Sequence, residues 1–254
     1  MESFIKKLSR TISFIILFFL SAFFYFNFKG FAYVDGKIVL QNDAAQAQQV
    51  EDIISSLPVH GAARVLPANI HINASDKFAI GSLNAPITLY EYSSLGCPHC
   101  ADFHTDVLPR LIEEYVSQGL LRVVFVNFPL DRKSMRAAMI SECMSYENYH
   151  QFLNTLFSNQ RSWWLDRDDE RLYRYAAEHG MGYEQTNACA HNDNIAREIV
   201  SNRQQALTQL HIQGTPAFLF SGADGNEIIY GALNYAKARD YLNLRLYGPQ
   251  PVNQ

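Results

Sequence analysis

Two cysteines separated by two residues form the motif with the clearest chemistry in this sequence. Cys97 and Cys100 flank Pro98 and His99. A helix that begins here would present unpaired N–H groups and the positive end of its dipole to Cys97, and both stabilise a thiolate. Pro98 fits a first helical turn without losing a hydrogen bond, and the His99 imidazole can add a donor or a positive charge near the sulfur. We therefore predict a redox pair, with Cys97 as the low-pKa thiol and Cys100, one turn later, as its buried partner.

Other chemistry is less compatible with this motif. Haem attachment requires a histidine directly after the second cysteine, where this chain has Ala101. A structural zinc site requires a second close pair of ligands, and Cys143 and Cys189 are too far apart in the sequence to indicate one, although His104 leaves an opening for a metal. An inert structural disulfide would not need the start of a helix, so the pattern favours redox activity.

The elements around the motif predict a parallel β-α-β unit. Residues 86–93 are rich in β-branched and aromatic types, which is typical of a buried strand, and the motif follows directly. Apolar residues then recur every three or four positions up to Tyr115, so the motif opens a helix, with a kink expected near Pro109. Residues 121–128 predict a second strand that ends at Pro129.

The rest of the chain predicts a helical lobe followed by the end of the sheet. Residues 131–210 contain several helical stretches and no convincing strand. A segment of this length is too long for a loop and is expected to be a helical lobe. Residues 217–220 and 227–230 predict two further strands, and 234–247 a final helix. The fold class is therefore α/β, a small mixed sheet with helices on its faces and an inserted helical domain. Trp163 and Trp164 are expected to pack inside the lobe, and 166–170 to be a solvated charge run.

The N-terminal region predicts export from the cytoplasm. Residues 1–32 place basic residues before an apolar run from Ile12 to Phe26, the layout of a signal peptide or of an uncleaved membrane anchor, and both remain open. Residues 33–76 form an extension with a weak hairpin signal around Asp35-Gly36, an amphipathic helix at about 43–56 and a connector at 58–76. The apolar stripe of that helix would dock on the main domain, residues 77–254, or mediate self-association.

Charge and cysteine content narrow the function classes. The 254 residues include 21 Lys or Arg and 25 Asp or Glu, for a net charge of −4, which is not the composition of a nucleic-acid binder, because such binding needs a clustered basic surface. In an oxidising compartment the default for four cysteines is to pair.

Two motifs at this separation make the sequence similar to a known family. The chain resembles the DsbA-like thiol:disulfide oxidoreductases of the thioredoxin superfamily in two sequence motifs and in the helical lobe between them. The motifs are Glu91-Tyr-Ser-Ser-Leu-Gly-Cys97-Pro98-His99-Cys100 and Gly214-Thr215-Pro216-Ala217-Phe218. The resemblance covers residues 78–247. It implies a thioredoxin-like fold, Cys97 as nucleophile and Cys100 as resolving cysteine.

The resemblance also implies roles for residues outside the motif. Pro216 would be a cis-proline beside the disulfide, and Glu91 the buried acid that assists proton transfer, unless it is a solvated charge at a strand edge. Cys143 and Cys189 look like the structural disulfide in the lobe of some bacterial members, with two free buried thiols as the alternative. Thr215 departs from the valine of the best-known oxidase, and threonine here also occurs in isomerases.

Together these features predict a periplasmic enzyme that introduces disulfide bonds into unfolded exported proteins. No cofactor or metal is expected, and the resemblance implies reoxidation by a quinone-linked membrane partner. Two alternatives remain: a disulfide isomerase or reductase of the same superfamily, and a non-enzymatic metal-binding protein that uses Cys97, Cys100 and His104.

Overall fold

The computed structural model describes residues 31–34, 37–40, 63–66, 70, 72 and 74–248. The chain divides into two units, Met1–Leu57 and Pro58–Gln254. In the first unit, strands β1 (Phe31–Val34) and β2 (Lys37–Leu40) pair antiparallel, where the sequence carries its hairpin signal. Residues 1–30 of the predicted export segment and the predicted helix at 43–56 lie outside the described residues. Within the part of the chain that the structure describes, no helix is long and apolar enough to cross a membrane.

The second unit is built on a five-stranded mixed sheet. Its strands are β3 (Ala63–Leu66), β4 (Ile87–Ser93), β5 (Leu121–Asn127), β6 (Ala217–Gly222) and β7 (Gly225–Tyr230), in the spatial order β3-β7-β6-β4-β5. β4 and β5 are parallel, whereas β4–β6, β6–β7 and β7–β3 are antiparallel. The predicted mixed sheet is therefore confirmed, and β4 lies near its centre.

Strand β3 corrects one expectation from the sequence. The connector predicted at 58–76 contains this strand, which adds an edge to the sheet by pairing with β7. Four residues are too few for a clear alternating pattern, and the partner residues 226–229 lie 160 or more positions further along the chain. Only the tertiary structure supplies that partner.

One long helical segment follows β4 and covers the sheet. It consists of two α-helical stretches, each followed by a wide π-type turn. The α-helical stretches are α1 (Pro98–Asp102) and α2 (Leu108–Leu111), and the π-type turns are Phe103–Val107 and Ile112–Val116. Wide turns are a known way to accommodate an irregularity such as Pro109 inside a helix. The segment packs Phe103 and Leu111, both fully buried, into the same core cluster as the sheet residue Phe218.

The helical lobe lies between β5 and β6, as predicted. Its helices are α3 (Arg132–Glu142), α4 (Tyr146–Ser158), α5 (Gln160–Trp164), α6 (Glu170–Glu178), α7 (Tyr183–Ala190) and α8 (Asp193–Gln209), and helix α9 (Tyr235–Tyr247) ends the domain. A disulfide joins Cys143, the residue that ends α3, to Cys189 in α7, with Cα atoms 6.3 Å apart. The bridge ties two helices of the lobe to each other.

Two expectations about the lobe are wrong in part. Trp163 is fully buried and donates from Nε1 to the carbonyl of Leu156, but Trp164 is 40% exposed and packs beside Gly96. Within the charge run expected to be solvated, Asp169 is buried and contacts Arg136 and Lys133. Basic side chains from a separate helix neutralise this carboxylate, and local sequence cannot show such a contact.

Candidate active site

Cys97 occupies the cap position at the start of α1. Its backbone is extended, with φ −85° and ψ 121°, and its carbonyl accepts hydrogen bonds from the N–H groups of Cys100 and Ala101, both at 3.1 Å. The first turn of the helix thus aims its free N–H groups toward the Cys97 sulfur. Pro98 takes the first helical position, where its missing N–H costs no hydrogen bond.

The surroundings of Cys97 favour its thiolate. A hydrogen bond from the Cys100 thiol is the largest cause, and together with the Thr215 side chain and the backbone N–H groups of Cys100 and His99 it outweighs burial and lowers the pKa of Cys97 to about 5. Both cysteines are thiols in the structure. A Cys97 pKa near 5 means that the group is a thiolate at neutral pH.

Cys100 has the opposite character. It is fully buried, and burial is the main cause that raises its pKa, followed by the hydrogen bond to Cys97 and the charges of Cys97 and Glu91. A Ser93 hydrogen bond lowers the pKa of Cys100 but does not offset these effects. The site therefore pairs a Cys97 thiolate that is 8% exposed with a fully buried Cys100 thiol that keeps its proton.

The loop before β6 brings the second motif to the cysteines. The peptide bond between Thr215 and Pro216 is cis, and the Cys97 Sγ–H donates to the Thr215 carbonyl oxygen at 3.3 Å. The Thr215 hydroxyl oxygen is buried and has no hydrogen-bond partner among the residues that the structure describes. That hydroxyl is free to donate to a Cys97 thiolate.

His99 contributes differently from what the sequence predicts. Its imidazole is largely exposed, and Nδ1 lies 3.4 Å from the Asp102 carboxylate one turn later. The backbone N–H of His99, rather than its ring, is what helps to lower the pKa of Cys97. The ring lies on the open side of the motif, where a bound polypeptide could contact it.

Glu91 lies on β4, an interior strand between β6 and β5, and its side chain is completely buried. The alternative of a solvated charge at a strand edge is therefore wrong. His104, one turn after Cys100, places Nε2 3.1 Å from a Glu91 carboxylate oxygen and is itself only 5% exposed. The spacing of His104 indicates no ligand site, so sequence reasoning missed this partnership, and its position four residues after Cys100 was the available signal.

The helical lobe also holds the active-site loop in place. Gln160, at the start of α5, donates from Nε2 to the carbonyls of Leu95 at 2.8 Å and Cys97 at 2.9 Å. A Cβ atom on Gly96 would come within 2.8 Å of the Trp164 Nε1, so the residue before Cys97 must be small. No sequence pattern predicts the Gln160 or the Trp164 contact, because more than 60 residues separate each of these side chains from the active-site loop.

Comparison with known proteins places this geometry in a family. The thioredoxin family model matches residues 73–241. A Rickettsia conorii protein that carries the name protein-disulfide oxidoreductase is 25% identical over 187 residues, which cover 73% of this chain and 67% of that one. The chain belongs to the thioredoxin family as a DsbA-like thiol:disulfide oxidoreductase.

Solved structures agree with that assignment. Wolbachia pipientis alpha-DsbA1 is 29% identical and superposes with a TM-score of 0.62, covering 72% of this chain and 94% of that one. A protein-disulfide isomerase from Novosphingobium aromaticivorans, at 23% identity and a TM-score of 0.60 over 68% of this chain and 99% of that one, shares the fold. The thioredoxin-like fold with a helical insertion and the thiol:disulfide oxidoreductase activity expected for a DsbA-like protein are therefore confirmed.

The arrangement does not group metal ligands around the DsbA-like motif. Among the described residues, no group of three or more His, Cys, Asp or Glu side chains is placed to hold a metal ion. His104, the third ligand of the metal-binding alternative, faces Glu91.

Proposed function

We propose that this DsbA-like enzyme is an oxidase that introduces disulfide bonds into unfolded exported proteins through Cys97 and Cys100. The observation that carries the proposal is the position of Cys97 at the start of α1, beside Thr215 and one turn before the buried Cys100, and this position lowers the pKa of Cys97 to about 5. A stable thiolate stabilises the dithiol form, so the disulfide form is a strong acceptor of electrons.

The reaction would run through a mixed disulfide. A substrate thiolate attacks Cys97 Sγ in the Cys97–Cys100 disulfide, and Cys100 leaves and takes up a proton. A second substrate thiolate then attacks the substrate sulfur of the mixed disulfide and expels Cys97 as its thiolate. The substrate loses two electrons and the enzyme gains them, and no cofactor enters these steps.

Residues around the cysteines would bind and orient the substrate. The Thr215 carbonyl, which accepts from Cys97 only while that thiol keeps its proton, offers an acceptor for a bound polypeptide next to Pro216. Trp164 is 40% exposed beside Gly96, and the His99 imidazole is exposed two residues after Cys97, so both would be available to a bound polypeptide. Glu91 would accept and return the Cys100 proton, and Cys143–Cys189 would be structural.

Localisation and partner belong to the same proposal. The basic and apolar N-terminal segment, together with DsbA-like relatives, supports export to the periplasm, with or without a remaining membrane tether. The dithiol would be reoxidised by a quinone-linked membrane protein, as the resemblance implies. The domain organisation that we propose is 1–32 for export, 33–76 for the extension and 77–254 for the enzyme.

The equilibrium potential against glutathione tests the oxidase proposal. A Cys97 pKa two units below neutral pH makes the disulfide about 60 mV more oxidising than a disulfide whose Cys97 had a pKa of about 7, at about 30 mV per pKa unit. A potential near that of thioredoxin, about −270 mV, would instead favour the reductase or isomerase alternative. Stoichiometric metal in the purified dithiol protein would favour the metal-binding alternative.

A further inference from the structure

Glu91 and His104 form a buried pair of titratable side chains, with His104 one turn after Cys100 on the same helical segment and the Glu91 charge acting on the Cys100 thiol. The 3.1 Å separation between His104 Nε2 and Glu91 Oε2 is an ion-pair distance, but the two groups do not meet hydrogen-bond geometry. Both Glu91 oxygens and His104 Nε2 therefore lack a hydrogen-bond partner among the described residues. Buried polar atoms are rarely left in this condition, and where they are, a functional reason is common.

The packing around His104 fixes its ring and limits access of solvent. Phe157 of the lobe stacks on the imidazole with ring centroids 4.1 Å apart and planes 25° apart, and Phe125 of β5 lies 5.4 Å away. The adjoining cavity has a volume of about 10 Å³, which is room for at most one water. Protons thus reach this pair through neighbouring side chains more readily than through bulk water.

The pair and the titratable groups that face it come from three elements. Cys100 lies on the same helical segment as His104, Glu91 projects from β4, and Tyr149 and His150 approach from α4. Burial raises the pKa of Tyr149, and burial together with the charge of His104 lowers the pKa of His150. Both α4 groups stay neutral near pH 7, so they do not compete with the pair for a proton.

We propose that Glu91 and His104 hold one proton in common and exchange it with the Cys100 sulfur, so that His104 is a positioning residue that acts through Glu91. This inference rests on the proposed oxidase function. When a substrate thiolate breaks the Cys97–Cys100 bond, the pair gives its proton to the leaving Cys100 thiolate. On reoxidation, Cys100 returns that proton as its sulfur attacks Cys97 Sγ and expels the partner's thiolate.

The imidazole is needed because of the cost of burying charge. With its proton, the pair is a carboxylate beside an imidazolium or a carboxylic acid beside an imidazole, and both arrangements are neutral overall. After the proton has left, the pair is a carboxylate beside a neutral imidazole, whereas Glu91 alone would be an isolated buried carboxylate, which is strongly disfavoured in a dry interior. His104 therefore makes the proton easier to give and to take back.

The reaction of the reduced protein with a chromogenic aromatic disulfide has two steps, and their separate rates distinguish this inference from the proposed function. Cys97 of the reduced protein releases a first coloured thiolate, and Cys100 releases a second when it attacks the mixed disulfide. We expect His104→Gln to leave the first release within about twofold of wild type and to slow the second by about tenfold or more at pH 7. The gap should narrow as pH rises, because hydroxide then competes with the pair for the Cys100 proton.

Control variants make the result specific. His179→Gln, which alters a half-buried histidine bonded to Thr155 elsewhere in the lobe, should change neither release. Glu91→Gln with His104→Gln should be no slower than Glu91→Gln alone, because the two residues act as a unit. A second release that is unchanged, or slowed equally at every pH, would overturn the inference.

Wild-type protein supplies an independent test if the variant fails to fold. The ring-nitrogen chemical shifts of His104 should differ between the dithiol and disulfide forms, because the proton moves, and identical shifts would overturn the inference. A wild-type protein that gives no rapid first release would count against the oxidase proposal itself, which is a different outcome.

Discussion

The Cys97 Sγ–H donates to the carbonyl oxygen of Thr215 at 3.3 Å, across 118 positions of sequence. This contact joins the two motifs, one at the start of α1 and one before β6, into a single site. It also places the Thr215 hydroxyl where it lowers the pKa of Cys97.

The first prediction concerns that hydroxyl. Thr215→Val removes the donor and should raise the Cys97 pKa by about one unit, since a hydrogen bond to a charged group contributes about that much. Thr215→Ser keeps the hydroxyl and should retain the wild-type value. Ultraviolet absorbance of the thiolate during an acid titration measures both, and equal values in all three proteins would show that the hydroxyl has no part in stabilising the anion.

The second prediction follows from the Cys97 thiolate itself. A pKa lowered from 9.0 to about 5 stabilises the folded dithiol form as pH rises from 5 to 9, and the effect disappears as pH falls through 5. At pH 7 the dithiol form should therefore be more stable than the disulfide form by about 2 to 3 kcal/mol from this source. Denaturant unfolding of both forms at several pH values measures the difference.

The matched control for that experiment is Cys97→Ser, which should show no thiolate absorbance change near pH 5. A wild-type thiol that titrates near its ordinary value would remove the electrostatic reason for strong oxidation. The reductase or isomerase alternative would then be favoured.

The third prediction concerns the Cys143–Cys189 disulfide. The bridge spans 46 positions, and the chain-entropy relation gives a stabilisation of about 4 kcal/mol for such a loop. The variant with Cys143→Ala and Cys189→Ala should lose roughly that free energy of unfolding in denaturant. Its Cys97 pKa should not change, because the bridge lies in the lobe, and an unfolding midpoint equal to that of wild type would contradict a structural role.

The fourth prediction concerns the buried carboxylate of Asp169. Asp169→Asn keeps a residue type that tolerates the left-handed backbone found here, φ 56°, but leaves Arg136 and Lys133 without their counter-charge. We expect a loss of about 2 kcal/mol, below the usual cost for a fully buried pair because both cations are partly exposed. Asp168→Asn, at an exposed neighbour, is the control and should be neutral in thermal unfolding.

Sequence alone determined the parts of this protein that depend on local spacing. Residues 86–116 form a strand, the Cys97–Cys100 pair and a helix in direct succession. This order alone places Cys97 at the start of a helix. Periodicity over 131–210 also showed the helical lobe, because helical packing repeats every three to four residues within the chain itself. Glu91 six residues before Cys97 was expected as a buried acid only through the family resemblance.

Tertiary structure decided what depends on partners far apart in the sequence. Four such features each join different elements. They are the pairing of the edge strand β3, the Gln160 contacts to the active-site loop, the burial of Asp169 against α3 and the packing of Phe157 on His104. The direction of the His99 ring toward Asp102 is likewise a choice among rotamers that spacing leaves open. Local pattern states which face of an element is apolar, whereas the charge or ring that meets a buried polar group is set only when the elements pack together.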